Sequence, residues 1–195
     1  MMRLRHLIKS LHALPRLAGF SPLALLSACG MVIMPPQAPT AIALPEGHMV
    51  ANILSGEGVL RYACRASPGG QFFWVGLAPE VVLKDQSGAM VGHYRAGADA
   101  SPSWEHVDGS RVSATAVSST TGTGSLGPQL LKATPTAGSR RGAMTGVTFI
   151  QQLNTRSGTI SGSCNPTKFG SVEAVPYTAD YYFYKPDFSD RVEPM

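Results

Sequence analysis

Beyond residue 45 the apolar positions recur every second residue rather than every 3.6, which predicts strands. Residues 58–65 place Leu60, Tyr62 and Cys64 on one side and Val59, Arg61, Ala63 and Arg65 on the other. Residues 177–184 place Tyr177, Ala179, Tyr181 and Phe183 on one side and Thr178, Asp180, Tyr182 and Tyr184 on the other. Residues 71–77 are aromatic or apolar on both sides, as in a strand covered on both faces, so Phe72 and Trp74 read as core. Residues 80–84 and 89–95 flank Asp85-Gln86-Ser87-Gly88, a hairpin turn in composition. Asp108-Gly109-Ser110 is a second turn, and it leads into an alternating run at 111–118. Shorter strands are expected at 130–134, 146–153 and 172–175, with loops at 118–125 and 135–142. About ten short, mostly antiparallel strands with frequent turns predict an all-β sandwich or barrel. No repeat of fixed period is present.

The first 28 residues differ in kind. A basic stretch with Arg3, Arg5, Lys9 and Arg16 precedes an apolar stretch from Leu17 to Ala28, which is the pattern of a secretory signal. It ends Leu26-Ser27-Ala28-Cys29-Gly30, which resembles the bacterial lipobox, whose Cys thiol accepts a diacylglycerol and becomes the new N-terminus. Leu26 disfavours ordinary signal peptidase at that bond, which prefers small residues there. A competing site lies after Ala43, in Ala41-Ile42-Ala43. An uncleaved anchor over residues 17–34 is of marginal length and is interrupted by Pro22. The expected organisation is a lipoprotein-type signal at 1–28, a Pro-rich tether at 29–42, a single β-domain at 43–187 and a tail at 188–195. Gly30, in place of an acid after the Cys, points to an outer-membrane lipoprotein facing the periplasm. Cleavage after Ala43 would instead leave a soluble exported domain.

Charge sharpens this picture. Only 14% of residues are charged, against about 25% in an average soluble domain. The 21 glycines and 15 prolines stay under a fifth of the chain, which excludes a low-complexity chain. Four of the 16 basic residues lie in the leader, and the 12 that remain equal the 12 acidic ones. A neutral body lacks the positive excess that displaces counterions from phosphates, so nucleic acid is not an expected partner.

The three cysteines are Cys29, Cys64 and Cys164. If Cys29 carries lipid, Cys64 and Cys164 remain as a pair, and export places them where disulfides form. A metal site would need three or four converging ligands, and neither Cys has a Cys or His nearby in sequence. No cofactor is expected: Gly56-Glu57-Gly58 is not a dinucleotide fingerprint, and there is no Walker loop or nucleophile elbow.

Several segments together resemble DUF3455, a bacterial and fungal family of unknown function. They are Leu44-Pro45-Glu46-Gly47, Gly58-Val59-Leu60-Arg61-Tyr62-Ala63-Cys64, Pro79-Glu80-Val81-Val82-Leu83 and Gly88-Ala89-Met90-Val91-Gly92-His93-Tyr94. After these come Ser103-Trp104-Glu105, Thr148-Phe149-Ile150-Gln151-Gln152-Leu153-Asn154-Thr155, Gly162-Ser163-Cys164 and Val175 to Tyr184. They run in the family's order over residues 43–185. The family's Pro-Trp-Leu-Leu segment is Pro128-Gln129-Leu130-Leu131 here, so a role tied to that Trp does not carry over. The resemblance implies a shared β-rich fold and both body cysteines, and no activity.

Two clusters are candidate sites. His93, Trp104, Glu105, His106 and Asp108 could supply a general acid and base or ligands for a metal. On a strand Glu105 and His106 point to opposite faces, so only one of them can join His93. The structural alternative is a packed Trp104 with polar neighbours fixing a turn. Tyr182, Tyr184 and Asp180, and Trp104 in the first cluster, are candidate ligand contacts, since a ring beside a carboxylate suits a sugar or peptide. Three functions follow: a lipid-anchored envelope domain that binds a glycan or another envelope protein, a periplasmic hydrolase using His93 with Glu105 or Asp108, and a purely structural envelope component.

Overall fold

The computed structural model describes residues 36–97, 101–134 and 137–189. Ten strands follow in order: β1 His48–Ala66, β2 Phe72–Gly76, β3 Glu80–Lys84, β4 Met90–Ala96, β5 Pro102–His106, β6 Ser110–Ser119, β7 Gln129–Ala133, β8 Ala137–Gly138, β9 Phe149–Ser157 and β10 Val172–Pro186. Helix is limited to short 3-10 turns at Thr40–Ile42 and Pro166–Lys168. The fold is all-β, as the alternation predicts.

All pairings are antiparallel, and the sheet closes. From β1 the path runs through β3, β4, β5, β6, β7 and β9 to β10, which pairs back with β1 from His48↔Pro186 to Ala63↔Val172. Of the two predicted architectures this is the barrel, which removes the open edges an exposed sheet would present. β2 continues the line of β3 along β1, pairing Tyr62↔Gly76 to Ala66↔Phe72, while β3 takes over at Val59↔Glu80. β8 adds two residues to the edge of β6 within the stretch expected to be loop.

The interior is aromatic. Trp104 is fully buried, stacked on Tyr94 at 5.0 Å and edge-on to Tyr181 at 5.4 Å, with Phe183 beyond. Leu54, Leu83, Val112, Leu131, Ile150 and Tyr177 complete the packing. Gly56 makes room for this filling: a Cβ there would lie 2.7 Å from the Tyr181 ring. Burial pushes the Tyr94 hydroxyl up to about 12 and those of Tyr177 and Tyr181 well up, so these three stay neutral even in alkaline solution.

The structure departs from the alternation in four places. β1 starts ten residues before the predicted strand: its inward positions there include Asn52, Gly56 and Gly58, which carry no apolar signal, and a bulge between Val50 and Asn52 shifts the phase of its first residues. The stretches expected at 172–175 and 177–184 are one strand, with Pro176 facing Val59 without ending it. β2 is not covered on both faces. It is a peripheral strand, with Phe73 46% exposed and Phe72 and Trp74 only half-buried under the 162–169 loop. Phe169 meets Phe72 edge-on, and the Trp74 indole N–H donates to the Gly162 carbonyl. The Pro-rich stretch also ceases to be a free tether before residue 42. Ile42 is fully buried against Leu130 and Leu153 on the outer wall, with Ala38, Leu44, Phe149 and Tyr182 around it.

Candidate functional site

The turn between β5 and β6 accounts for Asp108. Its Oδ1 accepts from the Ser110 backbone N–H at 2.9 Å and the Ser110 hydroxyl at 2.6 Å. Its Oδ2 accepts from the Ala143 N–H at 2.7 Å and lies 3.0 Å from the His106 Nδ1. Ser110 Oγ in turn accepts from the buried Met144 N–H. Asp108 therefore ties the β5–β6 turn to the segment that carries Met144 into the core. Desolvation opposes its ionisation, but the bonds from Ser110 and Ala143, then His106, outweigh it and hold the carboxyl well below the usual range. A depressed carboxylate stabilises above its unfolded value of about 3.9 and loses that contribution as pH falls through the folded value. Asp108→Asn is expected to lower stability at neutral pH and to flatten the loss of stability below about pH 5. Urea denaturation at stepped pH reads this, and an unchanged acid slope would assign the acid limb to other groups.

The rest of the first cluster disperses. Trp104 is inside the barrel and cannot touch a surface ligand, which corrects that expectation: its strand parity turns it inward. His93 and Glu105 are register partners on β4 and β5. The Glu105 carboxylate, however, goes to Arg111 on its other side, at 3.1 Å. His93 lines a groove with Glu80 and Arg95, whereas Glu105 lines a different one with His106 and Arg111. The geometry does not bring His93, Glu105 and Asp108 into one open pocket. Among the described residues no group of three His, Cys, Asp or Glu side chains could hold a metal ion.

The second cluster divides. Tyr184 is fully buried, and its hydroxyl donates to Gln151 Oε1 at 2.6 Å, so it is not a ligand contact. The short N-terminal segment lying over this wall removes it from solvent. Asp180 and Tyr182 stay on the outer face. A groove of about 480 Å³ runs beside them, lined by Ser55, Glu57, Asn154, Arg156, Thr178 and Asp180. A bulge in β9 creates it: the register steps from Thr178↔Arg156 to Asp180↔Leu153, and Asn154 adopts φ +50°. Asn tolerates that left-handed backbone better than most residues. Asn154 Nδ2 donates to Asp180 Oδ2 at 2.7 Å. On the β1 side Glu57 accepts from Lys84 at 2.6 Å, which lowers its carboxyl. Burial, then the Asp180 charge, push the Tyr182 hydroxyl up. Asn154, Arg156, Glu57 and Ser55 are not legible as site residues, because the contacts that gather them are made by barrel closure and a bulge.

Cys64 and Cys164 form a disulfide with Cα atoms 5.4 Å apart, as the cysteine parity predicts. Such a bridge fits folding in an oxidising compartment. Cys29 and the leader lie outside the described residues, and among those described no helix is long and apolar enough to cross a membrane.

These features define the class: a closed antiparallel barrel, filled by aromatics, pinned by one long-range disulfide and grooved on its outer wall. The model of a family of proteins of unknown function, DUF3455, matches residues 45–185, and the chain belongs to that family. No curated protein and no solved structure matches it.

Proposed function

We propose that the protein is an exported cell-envelope component, anchored by lipid on Cys29, whose barrel binds a neutral glycan in the groove beside Asp180. The carrying observation is the Asn154–Asp180 pair, a planar amide and carboxylate side by side on the open wall. Such groups exchange paired hydrogen bonds with neighbouring sugar hydroxyls. Arg156, Ser55 and Thr178 add donors along the same groove. Glu57 and Asp180 each have a partner, so the groove suits an uncharged polyhydroxyl chain better than an ion.

Titration of N-acetylated hexosamine oligomers into the isotope-labelled protein tests this. Saturable shifts are expected at residues 55–57, 154–156 and 178–182. Asp180→Ala is expected to weaken binding about tenfold, the loss of one good polar contact, with unchanged near-ultraviolet dichroism. Absence of saturable shifts with any oligomer, or full affinity in Asp180→Ala, would leave the structural role in its place.

A further inference from the structure

We propose that the cleft beside the β2–β3 interruption binds the carboxylate end of an extended peptide, with Arg95 and His93 as its receptor. The cleft exists because Pro79 has no N–H with which to continue a ladder. Leu77 N–H still donates to Arg61 at 2.8 Å, and regular pairing resumes only at Glu80. On the far side β4 runs on to Ala96. The space between is a groove of about 650 Å³ joined to a second of about 530 Å³, the two sharing Ala78, Pro79, Arg95 and Ala96.

Three polar side chains line the larger groove, and of these Glu80 is paired with Arg61 while His93 and Arg95 are unspent. His93 and Arg95 stand two residues apart on β4 and so on one face, about 6.6 Å apart along the strand. Among the described residues the Arg95 side chain makes no ion pair and the His93 side chain no hydrogen bond. The two neighbouring carboxylates among the described residues are held elsewhere: Glu105 by Arg111 at 3.1 Å, and Glu80 by Arg61 at 3.0 Å. The result is an unneutralised guanidinium beside an imidazole, facing the apolar wall of Ala78, Pro79 and Val82.

That combination selects an anion with an apolar flank. A guanidinium grips a carboxylate through two parallel N–H bonds, and the imidazole adds a third donor. An extended chain fits better than a compact ion, because the space is elongated and ends at β2. Among the described residues β2 pairs only with β1, so its other edge keeps backbone groups for a passing peptide. The site lies on β3 and β4, apart from the groove at Asp180, and does not depend on it.

The test uses the full-length protein and three probes: N-acetyl-trialanine with a free carboxylate, its C-terminal amide, and acetate. The free acid is expected to shift backbone amides at 76–82 and 93–97. The amide is expected to bind at least tenfold more weakly, as is the acid to Arg95→Gln. Arg95 is exposed, so that variant should keep its dichroism and its response to hexosamine oligomers, which separates failure here from failure of the glycan reading. Equal affinity for acid and amide, full affinity in Arg95→Gln, or no shifts at millimolar peptide would each overturn the proposal. Acetate binding as tightly as the tripeptide would also overturn it, by reducing the cleft to a simple anion site.

Discussion

Replacing both Cys64 and Cys164 by alanine is expected to cost 2–5 kcal/mol of unfolding free energy. The bridge spans 100 residues of sequence. In the chain-entropy account a loop of that size restricts the unfolded chain by about 4.7 kcal/mol. Total stabilities are only about 5–15 kcal/mol, so the loss should move the urea midpoint far toward zero. The double variant is the right one, since a single replacement leaves a free thiol. A native-state effect should accompany it. The Cys64 N–H donates to the Ser171 carbonyl at 3.0 Å, and the Cys64 carbonyl accepts from Gly170 at 3.1 Å. Those bonds, with the Trp74–Gly162 hydrogen bond and the Phe72–Phe169 contact, would then hold the 158–171 loop over Trp74 without a covalent tie. Hydrogen exchange in that loop should quicken more than in β5 or β6. A double variant within about 1 kcal/mol of the parent would show that residual structure already restricts the unfolded chain without the bridge.

The disulfide was legible because parity is a matter of counting, whereas what surrounds it was not. The inward set Tyr177, Ala179, Tyr181 and Phe183 could be read from period two, and all four are buried. Alternation breaks down where a bulge changes phase. The shift before Asn52 obscures the start of β1, Gly56 and Gly58 blank its inward face further on, and the extra residue in β9 conceals that Asn154 faces Asp180, 26 positions away. It also cannot see what lies over an outward face. Tyr184 points outward like Tyr182, as the alternation requires, yet it is buried because residues 38–44 lie across the wall. Trp104 was ambiguous because its strand is five residues long, too short for its polar neighbours Glu105 and His106 to reveal which face is the core.

The chain shortened to begin at Leu44 is expected to be less stable by about 3 kcal/mol or more than one that keeps residues 36–43. Ile42 is fully buried, and removing such a side chain to the β-carbon costs about 2–5 kcal/mol. The backbone of Ile42 matters as well. Its carbonyl accepts from Gln151 Nε2 at 2.8 Å, while Gln151 Oε1 takes the Tyr184 hydroxyl. Gln151 is 2% exposed with the segment in place, and deleting the segment exchanges this hydrogen bond for one to water, at about 0.5–1.5 kcal/mol. Ile42→Ala should show the packing share alone, and replacement of the exposed Thr40 by Ala should show neither. Equal stability of the two chains would mean that the segment rests on the wall without stabilising it. The comparison bears on export. Of the two cleavages the leader offers, the one after Ala43 discards Ile42 with its carbonyl, whereas cleavage before Cys29 retains the whole segment. If the clasp is worth what its burial implies, the mature protein should begin at Cys29, and its intact mass should carry the lipid. A mature chain beginning at Leu44 would leave Gln151 without its acceptor and remove the anchor from the proposed function.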